Sequence, residues 1–109
     1  LSRGLGDVYK RQLTQLALVR IISEGLTNAL RHQGAGTRVE VELALVDVAQ
    51  IALISTNPSP TASQVPGSGV GLVGIAERAH ALGGKLDTWG DTKKFIVRAE
   101  LPLQKESRV

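Results

Sequence analysis

The chain has no cysteine and no methionine, a single Trp, Tyr and Phe, and two histidines in 109 residues. Without cysteine there is neither a disulfide framework nor a thiolate metal cage, and His32 and His80 alone do not make a zinc-ligand spacing. Aromatics at 3% leave no stacking platform for single-stranded nucleic acid. The net charge of +3 comes from scattered basic residues, several near the ends (Arg3, Lys10, Arg11, Lys105, Arg108), with Lys93-Lys94 the one internal pair. No apolar run approaches the roughly 20 residues that cross a bilayer, and no charged, apolar, then small-residue pattern opens the chain, so it reads as soluble. At 42% hydrophobic and 21% charged, the composition suits one small domain with a modest core.

What the chain does have is glycine in one place. Within Pro66 to Gly84, PGSGVGLVGIAERAHALGG, Gly67, Gly69, Gly71 and Gly74 run straight into a helical pattern. Backbone without Cβ approaches a ligand closely, and the free amides at a helix start point at an anion, which describes a phosphate cradle. From Leu72 the apolar Leu72, Ile75, Ala76, Ala79 and Leu82 recur at helical spacing, Glu77, Arg78 and His80 fall elsewhere, and Gly83-Gly84 form a stop. Taken alone, the same stretch also reads as a flexible linker before a helix.

A second pattern lies upstream. Residues 1–12 show no periodicity and read as a disordered or non-native flank; a chain that opens on Leu and reaches a core helix at once reads as a fragment. From Leu13 to His32 a helix is expected, with Val19, Ile22, Leu26, Ala29 and Leu30 on one apolar stripe and Gly34 and Gly36 ending it. On roughly the opposite side Glu24, Asn28 and Arg31 align at i, i+4 and i+7, placing a carboxylate, an amide and a guanidinium together. That alignment fits either a solvated polar face or a site, and a mid-helix Asn, poor in helix propensity, leans toward the second.

Thr37 to Leu45 alternates as a half-solvated strand, Ile51 to Ser55 is a second apolar strand, and the two form a hairpin. Asn57 to Pro66, NPSPTASQVP, cannot stay in a sheet ladder and reads as a mobile surface loop. Lys85 to Trp89 and Lys93 to Leu103 are strands around a turn at 90–92, the second with Phe95, Val97, Ala99 and Leu101 on one side and Pro102 at an edge or an ending. Residues 104–109 are a polar tail. The order predicts an α+β two-layer sandwich, a mainly antiparallel sheet with helices on one face.

EGLTNALRH, a hairpin, a proline-rich loop, GSGVGLVGIAERAHALGG and a closing FIVRAELPL together resemble the ATP-binding catalytic domain of two-component sensor histidine kinases, of the NarL-partner type, in the GHKL ATPase superfamily. The resemblance covers about Leu13 to Leu103 and implies the Bergerat-type ATP-binding fold with ATP and Mg²⁺ as ligands. Asn28 matches the family's magnesium-ligating Asn, and Glu24 the acid proposed as base or orienting group. Arg31 and His32 are expected near the phosphates, with capping or packing as the other role for His32. Gly67, Gly69, Gly71 and Gly74, with Leu72, match the glycine box that holds phosphates beneath a lid. The family's adenine-binding Asp follows the second strand; here Asn57 is the best match, and its neutral oxygen is a weaker acceptor. Neither His32 nor His80 is followed by the acidic residue of a phosphoacceptor, so the resemblance implies transfer of the γ-phosphoryl group to a His outside this chain. It further implies a membrane-anchored homodimeric kinase, this domain on the cytoplasmic side, dimerisation and phosphoacceptor helices as partners, and a response regulator downstream.

Three rivals are weighed. Gly69-x-Gly71-x-x-Gly74 formally fits a dinucleotide fingerprint, but a loop with Pro58, Pro60 and Pro66 intervenes where a strand should lead in directly, and no glycine box is followed by the Lys and Ser or Thr of a P-loop. An anti-sigma-factor serine kinase of the same fold needs no acceptor His, although the IAERAHALGGKL run is closer to sensor kinases. A degenerate regulatory domain that binds nucleotide poorly is the non-enzyme reading, supported by Asn57.

Overall fold

Residues 4–33 contain no proline, and Gly34 follows them in the left-handed region at φ 80°. The Gly34 N–H donates to the Leu30 carbonyl at 3.0 Å, the glycine-capped ending that closes helix α1, Gly4–Gln33. The structure is a computed structural model, and it describes residues 4–61 and 71–103. After α1 come β1 (Arg38–Leu45), β2 (Val48–Thr56), α2 (Gly71–Ala81), β3 (Lys85–Gly90) and β4 (Lys94–Pro102). Helix α2 ends in the corresponding double closure: Gly84 N–H reaches Ala79 O at 2.9 Å, and Gly83 N–H reaches His80 O at 3.0 Å with Gly83 at φ 85°.

The four strands form one sheet in the order β1-β2-β4-β3, with every neighbouring pair antiparallel. The register sets Val41 opposite Leu53, Leu53 opposite Val97, and Val97 opposite Thr88, so odd-numbered positions of β1, β2 and β4 and even-numbered positions of β3 share one face. Ala49, Ile51, Leu53, Val97, Ala99 and Leu101 on that face pack with Ala17 and Ile21 of α1 and Ile75 and Ala79 of α2 as a single core. Both helices therefore cover one face, and the architecture is the expected α+β two-layer arrangement. No helix among the described residues is long and apolar enough to cross a membrane.

Three expectations change. Residues 4–12, read as an unstructured flank, are the first turns of α1; they contain no proline, and Lys10, Arg11 and Gln12 favour a helix that runs on through Gly4 and Gly6 despite the low propensity of glycine. The stripe read as the core face of α1 is also offset. Of that stripe Ala29 is buried and Ile22 packs half-buried against the core, but Val19, Leu26 and Leu30 are 62%, 44% and 49% exposed, while Ala17, Ile21, Gly25 and Asn28, off the stripe, are buried. Gly25 lets the helix lie close on the sheet: a Cβ there would stand 2.8 Å from Cδ2 of Leu53. Finally, β2 begins at Val48, earlier than expected, because the hairpin turns tightly at 46–47, where Val46 N–H donates to Val48 O at 3.2 Å.

Candidate functional site

Where the C-terminal half of α1 passes the start of α2 and the β3–β4 turn, the packing leaves a cavity of about 330 Å³. Its walls are Asn28, Ala29, His32 and Gln33 of α1, Leu72 of α2, Gly90, Asp91 and Thr92 of the turn, and Phe95 of β4. The volume lies at the lower end of small-ligand sites, and the lining pairs apolar surface with a few polar groups, as such sites usually do. A wider hollow of about 550 Å³ lies on the opposite face of the sheet among Glu42, Lys85, Asp87, Trp89, Arg98 and Glu100. It contains none of the residues that the sequence singles out, and its side chains already pair with one another: Arg98 stacks over Trp89 at 5.7 Å and Lys85 meets Glu100 at 3.5 Å.

Of the α1 residues, Asn28 is 8% exposed and stands on the cavity wall, not on a solvated face opposite the core. His32, one turn later, is exposed and lines the same cavity. Glu24, one turn earlier, faces the first residue of α2: a Cβ added to Gly71 would collide with its Oε2. A side chain there would displace only the flexible end of Glu24, whose carboxylate lies at the amino end of a helix, where negative charge is favoured. Gly74 sits inside α2 with nothing near the place of a Cβ, so no close approach demands glycine there. Arg31 is half-buried beside the cavity residues, is not one of its lining groups, and has an Nε without a partner among the described residues. Gly67 and Gly69, together with the lid expected around them, lie outside the described residues.

Asn57 departs most from expectation. It is 4% exposed and does not line the cavity. Its Nδ2 donates to Gln33 O at 2.9 Å, to Ala35 O at 3.0 Å and to Thr37 Oγ1 at 3.3 Å, and its Oδ1 accepts the Ser59 N–H at 3.0 Å. Every part of the amide is engaged in tying the end of β2 to the chain leaving α1. The Asn-Pro turn chemistry has been combined with a buried clamp that lies outside the cavity lining.

Two contributors to the cavity wall are not among the candidate site residues. Gln33, the last residue of α1, is 1% exposed and donates from Nε2 to the Ser55 carbonyl at 3.0 Å. A glutamine just before a helix-ending glycine ordinarily reads as solvated, and only tertiary packing reveals its burial. The β3–β4 turn is the other. Asp91 Oδ1 accepts from the backbone N–H of Lys93 at 2.9 Å and of Lys94 at 3.0 Å. These bonds, the Lys94 amide first and the Lys93 amide next, hold the Asp91 carboxyl below its ordinary 3.8. A carboxyl with a depressed folded value stabilises the turn above its ordinary pKa and loses that contribution as pH falls through the folded value. Comparing the native chain with Asp91→Asn by thermal unfolding should therefore give a difference at neutral pH that disappears in acid below 3.8. A difference that persists unchanged in acid would mean that the carboxylate does not order the turn.

No protein-family model matches this chain, and neither does any curated protein.

Proposed function

We propose that this chain is a Bergerat-type ATP-binding domain of the GHKL class, the catalytic part of a sensor histidine kinase that works on the cytoplasmic side and passes the γ-phosphoryl group to a His outside the chain. The observation that carries the proposal is the cavity itself. It gathers Asn28 and His32 from the first motif and Leu72 from the second beside an apolar wall, although the two motifs are far apart in sequence. Neither motif alone has this specificity, and a linker or a solvated polar face would have no reason to converge on one hollow.

The residues fit the expected ligands. Asn28 offers one buried, hard oxygen at the wall, which suits Mg²⁺: this ion keeps several waters and binds through one or two protein oxygens and the nucleotide phosphates. Bound there, the ion would neutralise phosphate charge, the main requirement of phosphoryl transfer together with positioning. His32 supplies a polar group at the mouth and Arg31 a nearby guanidinium, while Phe95 and Leu72 supply surface for a flat ring. Glu24, held against the start of α2, retains the role of base or orienting carboxylate. The second reading is a regulatory domain with weak nucleotide binding; the engagement of Asn57 in a structural clamp favours it.

Thermal unfolding of the full chain with ATP or NAD, each with and without Mg²⁺, separates these readings. At about 100 times its dissociation constant, a ligand stabilises by roughly 2.7 kcal/mol, on the order of ten degrees for a domain of this size. The expected result is a shift with ATP that needs Mg²⁺ and vanishes in Asn28→Ala without loss of the fold. An unaltered shift in that variant would remove Asn28 from the site, no shift with either nucleotide would favour the regulatory reading, and a shift with NAD would overturn the assignment.

A further inference from the structure

We infer that the free edge of β1 is a docking strand for an extended segment of a partner protein, one that alternates apolar residues with Lys or Arg. In the sheet order β1-β2-β4-β3, β1 pairs with β2 on one side and with no strand among the described residues on the other. Such edges are commonly blunted by a short strand, a proline, a bulge or an inward-pointing charge. β1 has none of these. It pairs with β2 at every position from Arg38 to Leu45, contains no proline, and carries its charges, Arg38, Glu40 and Glu42, on the outer face of the sheet alone.

The helix-side face of this edge is bare. α1 and α2 rest on β2, β4 and β3, and on the same face of β1 Val41, Leu43 and Leu45 stay 45%, 52% and 59% exposed. Leu26 and Leu30, also exposed, adjoin that strip: each follows by two residues, about 200° of helix, a residue that faces α2 or the cavity, Glu24 and Asn28, so both stand on the flank of α1 turned away from α2. A strand laid beside β1 would take up its unpaired main-chain groups and send every second side chain onto this apolar surface. Its other side chains would fall beside Glu40 and Glu42 on the outer face. There Arg38 meets Glu40 at 3.5 Å, and β1 offers Glu42 no cation of its own, so basic residues in the added strand are favoured and acidic ones opposed. The same charges disfavour a second copy of β1 as the occupant. The two antiparallel registers that overlap most while keeping the apolar faces together set Glu40 opposite Glu42 in one and Glu42 opposite its own copy in the other.

The test uses the full chain and fluorescence anisotropy with a labelled, end-blocked peptide of alternating Lys and Val, matched to β1 in length. Three peptides serve as controls: alternating Glu and Val, the Lys and Val composition with its valines in one block, and the alternating Lys and Val peptide N-methylated throughout. Each should bind about tenfold or more weakly than the first. In the double variant Glu40→Lys, Glu42→Lys the preference between the Lys and Glu peptides should reverse. Equal binding of the blocked or the methylated peptide would mean that charge attraction alone holds it, and would overturn the added strand. Failure of the Lys and Val peptide to bind the native chain would overturn it too. So would a native chain that sediments as a dimer and is returned to monomer by Leu43→Lys, since a second copy would then occupy the edge. No nucleotide enters the experiment, so its outcome is independent of the reading above.

Discussion

Asn57→Asp should lower the unfolding temperature by on the order of 15 °C, corresponding to about 3 kcal/mol in a chain of this size. The family resemblance suggests the opposite, since Asp is the residue that the resemblance leads one to expect at this position. The hydrogen bonds explain the reversal. Asn57 donates to the carbonyls of Gln33 and Ala35 and to Thr37 Oγ1, and a carboxylate has no proton for any of them. The substitution would turn oxygen toward two carbonyl oxygens at a site only 4% exposed and leave a buried charge without a partner. Only the bond from the Ser59 N–H to Oδ1 would survive. Differential scanning calorimetry at neutral pH checks this, with ATP titrated into the variant in parallel. An Asp variant as stable as the native chain, or one that binds ATP more tightly, would mean that position 57 faces the ligand and is not a clamp.

Gly90→Ala should destabilise by about 3 kcal/mol, which denaturant unfolding of the two chains would measure. Gly90 closes β3 with φ at 119°, a conformation that side chains rarely adopt, and its hydrogen side faces the returning strand. A Cβ there would run into the Lys94 carbonyl and stand 2.9 Å from the Phe95 Cα, both of them main-chain atoms that cannot rotate away. Relief requires the turn to open. Gly90, Asp91, Thr92 and Phe95 are also cavity walls, so the variant should lose nucleotide-induced stabilisation together with its turn. If Gly90→Ala were neutral, the turn would have another geometry and the cavity another outline.

The two variants differ in what sequence reasoning could have foreseen. Gly90 followed by Asp91 is ordinary turn chemistry between two alternating strands, and it marks a hairpin on inspection. For Asn57, sequence allows two roles, a turn residue or a ring acceptor, and only the partners of its side chain decide between them. The donors and acceptors in question lie 20 to 24 positions away.

Helix α1 gives a similar lesson about hydrophobic patterns. Reading large apolar residues as the buried face selects Val19, Leu26 and Leu30, all of which face outward. The buried side holds Ala17, Ile21 and Gly25 beside Ala29, the one buried member of the expected stripe, and the absence of a side chain on Gly25 permits close approach to Leu53 of β2. Size complementarity between two surfaces decides this, and one helix read by itself carries no information about the other surface. Asn28 was misplaced for the same reason: the polar alignment of Glu24, Asn28 and Arg31 is real, but Asn28 turns inward to the cavity and Glu24 toward Gly71.

The elements themselves were legible. Strand alternation in RVEVELAL and KFIVRAELP, the glycine stops after α1 and α2, and the helix–strand–strand–helix–strand–strand order follow from local backbone geometry, which repeats every two or 3.6 residues and leaves a periodic imprint in the residues. The site was not legible in the same way. Which face of α1 is buried and which amide is spent on a clamp were settled by packing between segments distant in the chain, because burial and hydrogen-bond pairing belong to pairs of surfaces and no local pattern records them.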